Sequence, residues 1–460
     1  MAATVREYVE GVRGGSIDPS EAIPGFLERA RELQKRFNPF ITINEGVEFK
    51  PNGALAGLPI SVKDNICTKG IMTTAGSRIL EGYVPPFDAT VVSKIKEQGA
   101  FILGKTAQDE FGFGTFSTNC AYGIPKNPID TERSAGGSSG GAGALAAAAD
   151  FPHIAIAQST GGSITAPAAF TGTVGITPTY GRVSRYGLID YANSMDKIGV
   201  IAKNVYDAAL GLSVISGYDP MDSTSANLNS IDFTKSASPD KPRIALPKQY
   251  FLSTTDRRVA ELVIRTAEKL ESEGMTVEQV DMPLTRYSIP AYYMIAITEA
   301  STNLAKFCGL RYGMQGELKG NFDEYFSKVR SEGFGAEAKR RIILGTYARM
   351  SGFREAYYIK AMRIRARITR EFKSVFQNFD AIITPSMPIL APRFSDIETM
   401  SPIEAYNMDM MTTAPNMCGL PTVSMPVGRI DGLPVGMQLI GDHFAEERLI
   451  GLSQTIEGLQ

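Results

Sequence analysis

Two apolar rhythms run along the chain. One repeats every three or four positions and predicts helices. The other is a short apolar run bounded by glycine or proline and predicts buried strands. Val5, Tyr8, Val9 and Val12 share a helical face, and Gly14-Gly15 ends that helix. Asp18-Pro19-Ser20-Glu21 reads as a capping box with proline at the first helical position. Pro24 predicts a kink or restart. Residues of about 1–50 thus form a helical segment, a docking face for the core or a partner. Further on, Ala56 to Asn65 reads as a strand, Thr90 to Gly99 as an amphipathic helix and Ala100 to Leu103 as a buried strand. Val205 to Ser216 is a helix and Arg243 to Leu246 a strand. Arg257 to Glu273 is an amphipathic helix closed by Gly274. Thr298 to Tyr312 and Glu337 to Arg365 are predicted as long helices, and Ala381 to Thr384 as a strand. Thr422 to Val427 and Pro434 to Ile440 flank Asp431-Gly432, a hairpin signal. Phe444 to Glu457 is the last helix. This alternation predicts an α/β fold: one large mixed β-sheet covered by helices on both faces. The polar stretch Asp222 to Pro242 reads as a surface excursion, so residues 1–460 form a single domain.

The stretch Ser134 to Phe170 stands apart. Two Gly/Ser clusters, Gly136 to Gly141 and Thr160 to Ser163, bracket a predicted helix at Gly143 to Ala149 and a buried strand at His153 to Ala157. Glycine lets such clusters turn sharply and present bare N–H groups. A hydroxyl beside those donors is what acyl transfer needs, a nucleophile and an oxyanion hole. Gly/Ser clusters are more often linkers, but these abut helix and strand, and the segment between them is apolar.

Composition narrows the chemistry. Net charge is −2, which argues against a broad nucleic-acid surface. The four cysteines, Cys67, Cys120, Cys308 and Cys418, lack metal or disulfide spacing and fit a reducing cytoplasm. The N-terminus has no signal-peptide core, and no apolar run reaches the length of a membrane span. Only two histidines occur, His153 and His443. A histidine-based serine hydrolase and a two-histidine metal centre are both disfavoured, and a lysine base becomes attractive.

Two formal motif matches fail on context. Gly99 to Thr106 fits the P-loop pattern, but Phe101, Ile102 and Leu103 read as a strand and not as a phosphate loop. Gly136-x-Ser138-x-Gly140 fits a nucleophile elbow, but Pro128 to Arg133 before it is no strand.

GGSSGG at 136–141, TGGSI at 160–164, PAAF at 167–170 and SVKDN at 61–65 closely resemble the amidase signature family. The resemblance runs from about Gly53 to the last helix, with a signature core at about 53–215 and the remainder of the same domain at 216–460. It implies the amidase signature fold and a triad: Ser163 as nucleophile, Ser138 as bridging serine, Lys63 as base. Thr160, Gly161, Gly162 and Ser163 would supply the oxyanion hole. Sequence alone gives Lys63 only a strand-end position. As a base it needs burial or neighbouring charge to lower its pKa.

Pro178 to Gly199, Glu299 to Gly313 and Lys339 to Ala348 resemble a narrower branch, the amidase subunits of tRNA-dependent amidotransferases. Those release ammonia from glutamine, and a partner then uses it to amidate a misacylated tRNA. The resemblance implies Asp409 for the substrate amine, an arginine of Arg340-Arg341 for its carboxylate, here taken to be Arg341, and Tyr312 in the pocket wall. It implies no metal or cofactor on this chain. ATP and magnesium are expected on the partner. Other amidotransferase subunits are the expected partners, and no membrane contact is expected. A stand-alone amidase, a nucleotide-binding module and an inactive scaffold are the alternatives. The chain departs from the family's pattern at Ser159, where aspartate is usual, at Thr165-Ala166, and by one extra residue between Ser138 and Ser163.

Overall fold

A computed structural model describes residues 4–50, 53–251 and 255–459. Its centre is one sheet of eleven strands among the described residues. In chain order these are β1 (Phe40–Ile43), β2 (Pro59–Lys63), β3 (Phe101–Thr106), β4 (Ile154–Ser159), β5 (Val174–Thr177) and β6 (Lys197–Ala202), followed by β7 (Arg243–Pro247), β8 (Thr276–Val280), β9 (Ala381–Pro385), β10 (Thr422–Ile430) and β11 (Leu433–Ile440). Across the sheet they lie in the order β1-β3-β2-β4-β6-β5-β10-β11-β9-β7-β8. The β2–β3, β2–β4, β7–β8 and β7–β9 pairs are parallel and the remainder antiparallel, so the sheet is mixed as expected.

Helices α1 (Val5–Arg13) and α2 (Pro19–Phe37) lie at the N-terminus. That segment is not purely helical, because Phe40 to Ile43 pairs with β3 and forms one edge of the sheet. Pro24 sits inside a continuous α2, in its second turn, where it forgoes only the one N–H bond to the Ser20 carbonyl. Further helices are α3 (Thr90–Glu97), α4 (Gly140–Ala148), α5 (Thr165–Thr171), α6 (Val205–Ile215), α7 (Arg257–Ser272), α8 (Ser288–Asn303), α9 (Phe322–Gly333), α10 (Ala336–Arg349) and α11 (Lys360–Val375). Short helices α12 (Phe394–Thr399), α13 (Pro402–Asn407) and α14 (Thr413–Met417) precede the hairpin, and α15 (Glu446–Gly458) ends the chain.

Two predicted helices are corrected. The stretch Thr298 to Tyr312 is the end of α8 and a reversal, with Gly309 in the left-handed region at φ +82°. The stretch Glu337 to Arg365 splits into α10 and α11 across a turn at Met350–Arg354 and a π-helical turn at Glu355–Ile359. The α9 helix escapes sequence reading because it buries only Tyr325, Val329 and Gly333, too few for a clear stripe. Strand β8 is a largely exposed edge strand and has no apolar run to announce it.

Besides two smaller clusters around α4 and α5 among the described residues, two large apolar cores result. One packs α1, α2, α3, α6, α7 and α15 against the strands, with Phe26, Phe101, Leu212 and Ile450 among its members. The other lies beneath α8, α10 and α11, around Ile295, Ala300, Ile368 and Phe372. Burial of this kind is the main stabilising term of the fold. No described helix is long and apolar enough to cross a membrane.

Candidate active site

Parallel pairing of β2 with β4 sets two strand ends side by side, with Ile60, Ser61 and Val62 opposite Ile154, Ala155 and Ile156. Lys63 ends β2 and is fully buried. Its Nζ lies 2.7 Å from Ser138 Oγ, 3.0 Å from the Gln158 carbonyl oxygen and 3.3 Å from Gln158 Oε1. A neutral amine has two N–H bonds and one lone pair. Both Gln158 oxygens can only accept, so they take the N–H bonds and leave the lone pair for the Ser138 hydroxyl. Burial pulls the Lys63 ammonium down to about 7, against the opposing pull of the Asp109 and Asp196 carboxylates. The amine is therefore a usable base near neutral pH.

Gln158 is held in turn. Its Nε2 donates to Thr160 Oγ1 at 2.7 Å and to Asp196 Oδ1 at 3.0 Å, while its Oε1 also accepts from Asn65 Nδ2 at 3.2 Å. Asp196 further accepts from Thr160 Oγ1 at 2.6 Å and from the N–H groups of Tyr191 and Ala192, both at 2.9 Å. Burial pushes this carboxyl up to about 7, and its four donors favour the ionised form.

The peptide bond between Gly137 and Ser138 is cis. Asp109 supports this loop. Its carboxylate accepts from Ser117 N and Asn119 N at 2.9 Å, and its own N–H donates to the Ser138 carbonyl at 3.2 Å. A Cβ on Gly137 would lie 2.3 Å from Asp109 Oδ2, so only glycine admits this approach. The same loop packs onto the start of α5, where a Cβ on Gly136 would lie 2.7 Å from Pro167 N. Ser138 is thereby brought to the helix that begins just after Ser163.

Ser163 lies in the turn from β4 into α5, 6% exposed, and its hydroxyl has no hydrogen-bond partner among the described residues. Asn416 Nδ2 donates to the Gly161 carbonyl at 2.9 Å, and the Ala166 N–H donates to the Gly162 carbonyl at 2.8 Å. With those carbonyls engaged, the N–H groups of Gly161, Gly162 and Ser163 have no intrachain acceptor among the described residues. Ser159 Oγ donates to Asn416 Oδ1 at 3.4 Å, so serine reaches the residue that braces the turn. A Cβ on Gly162 would lie 2.2 Å from Thr412 Oγ1, and one on Gly161 would lie 2.5 Å from the Tyr292 hydroxyl. The turn is therefore clasped between α8 and the segment entering α14.

Beside Tyr292 on α8, and three residues before Thr412, the second group begins to assemble. Asp409 accepts from the Tyr293 hydroxyl at 2.7 Å and from Thr115 Oγ1 at 2.9 Å, and burial pushes its carboxyl up. Arg341, on α10, is buried among Phe113, Tyr191, Tyr293 and Tyr406, whose ring centroids lie 5.0–5.7 Å from its guanidinium carbon. Its Nε donates to Glu337 at 2.8 Å and its Nη1 to the Tyr191 hydroxyl at 2.5 Å, leaving Nη2 without an acceptor among the described residues. Arg340 instead points outward and pairs with the far oxygen of Glu337. The structure brings Asp409 and Arg341 together around Tyr293.

Tyr312 is not brought there. It packs edge-on against Tyr83 and Phe307, with centroids at 5.6 and 5.9 Å, in an aromatic cluster on the second core. The tyrosine that reaches Asp409 is Tyr293. Gln158, Asp196, Thr115 and Tyr191 also escape sequence reading. Their signal is a polar side chain among otherwise buried neighbours, which only the fold reveals.

Neither histidine approaches the site. His153 bonds Ser61 Oγ at 2.9 Å, with burial holding it down at about 3, and His443 lies 3.0 Å from the Cys418 carbonyl. Lys105, the lysine of the P-loop match, is buried in β3 and donates to Ile66 O, Thr68 Oγ1 and Thr73 Oγ1. No group of three or more metal-ligating side chains occurs among the described residues.

A dry lysine on a serine, next to a glycine turn that carries a second serine, sets the class. Residues 27–450 match the Amidase family, and the chain belongs to that family as an amidase-type enzyme. Within it, the chain is 43% identical over 472 residues to the glutamyl-tRNA(Gln) amidotransferase A-subunit of Persephonella marina, covering 99% of this chain and 97% of that one. It is also 43% identical to the protein of the same name from Sulfurisphaera tokodaii, with 98% and 97% covered. The crystal structure of the Thermotoga maritima counterpart superimposes with a TM-score of 0.83 at 36% identity, covering 99% of this chain and 94% of that one. A peptide amidase from Stenotrophomonas maltophilia superimposes equally well, at 0.83 with 27% identity, covering 99% and 96%.

Proposed function

We propose that this chain is the glutaminase subunit of a tRNA-dependent amidotransferase. The observation that carries this reading is the pairing of buried Asp409 and Arg341 beside the Ser163 turn. An α-amino acid offers an ammonium and a carboxylate, and these two side chains offer the matching charges. A simple amidase has no use for such a pair. The full-length likeness to glutamyl-tRNA(Gln) amidotransferase A-subunits supports the same choice.

In this reading the glutamine side chain reaches from the clamp to Ser163. Ser163 Oγ bonds to the amide carbon as its proton passes to Ser138, whose own proton moves to the Lys63 lone pair. The carbonyl oxygen becomes an oxyanion held by N–H groups of the Thr160–Ser163 turn. The relay then runs backward: Lys63 returns its proton through Ser138 to the departing nitrogen, and ammonia leaves. Water attacks the glutamyl ester by the same relay and releases glutamate. Activation of the acceptor carboxylate by ATP and magnesium, and the binding of Glu-tRNA(Gln) or Asp-tRNA(Asn), belong to partner subunits.

The test is ammonia release from glutamine beside a panel of simple amides, with the chain alone and with its co-purified partners. Ser163→Ala or Lys63→Met should reduce glutamine turnover by at least ~10³-fold. Arg341→Met should raise KM for glutamine while sparing simple amides. Equal use of glutamine and simple amides by the native chain would favour a stand-alone amidase.

A further inference from the structure

The segment Asp109 to Phe113 touches both halves of the site. At the reactive end, Asp109 N–H holds the Ser138 carbonyl, and a Cβ on Gly112 would lie 3.4 Å from Ser138 Oγ. At the clamp end, the Phe113 ring covers Arg341 at 5.0 Å. Glu110 stands between them, 3% exposed. Both of its carboxylate oxygens accept the Gly335 N–H at 3.0 Å, and Ser77 Oγ donates to one of them.

Gly335 is the N-cap of α10 and has no side chain to cap it. Glu110 supplies that cap from 225 positions away in sequence. A carboxylate at a helix N-terminus satisfies an orphan N–H and is favoured by the helix dipole. A Cβ on Gly335 would lie 2.5 Å from Glu110 Oε2, so the contact requires glycine there. Helix α10 carries Glu337 and Arg341 within its first two turns. The position of the clamp is thus tied, through one short segment, to the position of Ser138.

We propose that Glu110 is a positioning residue that fixes the distance between the Ser163 turn and the Arg341 clamp. It thereby selects the side-chain length of the substrate, an α-amino acid γ-carboxamide over a β-carboxamide. The inference rests on Arg341 being the carboxylate clamp. Glutamine and asparagine differ by one methylene between amide and α-carbon, so a fixed spacing discriminates between them. Glu110 itself touches neither substrate nor the reacting atoms.

The test measures glutamine and asparagine binding to the full chain by calorimetry in a Ser163→Ala background. Glu110→Gln keeps the shape and removes the charge, and should weaken glutamine binding roughly tenfold while leaving asparagine binding unchanged. Gly335→Ala should do the same by displacing the carboxylate, and it serves alone if Glu110→Gln does not fold. Thermal unfolding is followed in parallel. If both variants melt earlier but keep the native ratio of glutamine to asparagine affinity, Glu110 is only a structural cap and the proposal is overturned. Arg341→Met separates the two readings. Loss of glutamine binding there, with the ratio intact in Glu110→Gln, overturns the positioning role alone. Unchanged glutamine binding in Arg341→Met, or none in the parent, overturns the clamp and this inference with it.

Discussion

The burial of Lys63 has two measurable consequences of known sign. Its ammonium falls from the ordinary 10.5 to about 7 because burial removes its water. The proposed mechanism requires the free amine, so kcat/KM for glutamine should rise with pH through about 7 and then level off. A single titration at that midpoint gives roughly a tenfold rise between pH 6 and pH 8. Stability follows by linkage. Between the folded value near 7 and the unfolded value of 10.5, the unfolded chain holds a proton that the folded chain does not. Stability conferred by this position is therefore fully present above 10.5 and is lost as pH falls towards 7. The whole penalty is on the order of 5 kcal/mol, at about 1.4 kcal/mol per pH unit.

Lys63→Met removes that penalty and also the partners of Gln158 and Ser138, so its absolute effect on stability mixes two terms. The pH dependence isolates one of them. Relative to the native chain, the variant should lose about 2 kcal/mol of advantage between pH 7.5 and pH 9. Denaturant unfolding at the two pH values reads this difference directly. A stability difference that does not change with pH, or a pH–rate profile flat from 6 to 8, would falsify the assignment of Lys63 as a dry, neutral base. A midpoint near 10 would mean that water reaches the amine.

Four further outcomes follow from the same contacts. Asp196→Asn removes a carboxylate that holds the Lys63 value up, so the midpoint of the pH–rate profile should move to lower pH. The plateau should fall about tenfold or more as Gln158 loses its anchor. Asn416→Ala leaves the Gly161 carbonyl without its donor, and steady-state assay should show kcat down by roughly 10–100-fold with KM little changed. Gly162→Ala drives a Cβ against Thr412 and should abolish turnover, with part of it returned by Gly162→Ala combined with Thr412→Gly, since the obstructing atoms are that side chain. Lys105→Met should leave glutamine turnover within about twofold, and its stability relative to the native chain should be greater at pH 7 than at pH 10, because burial holds Lys105 down at about 8.

The parts of this site that could be read from the sequence are those whose chemistry is local. Two serines and their glycines lie in contiguous motifs because a turn that presents N–H groups must be built from adjacent residues. Strand β4 could be read because a strand buried on both faces is a nearly continuous apolar run, and β2 because Ile60 and Val62 alternate with Ser61 and Lys63. Lys63 marks the limit of this reasoning. A lysine at a strand end is ordinarily solvated, and only pairing of that strand with β4 buries it against Gln158. The proposed clamp lies beyond local chemistry, and Asp409 and Arg341 are named only through the family resemblance. Asp409, Arg341 and Tyr293 come from three separate segments, and α8 is apolar around most of its surface. Its tyrosines therefore show no periodicity that would single out one of them. Tyr312 is named only by the family resemblance of Glu299 to Gly313, whereas Tyr293 sits between Tyr292 and Met294 and reads as core. It is partly core, since its ring stacks on Tyr406 at 4.3 Å while its hydroxyl alone turns to Asp409. A residue that packs with its ring and binds with one atom has the sequence signature of packing. Function at such a position becomes visible only when the fold supplies the carboxylate at its tip.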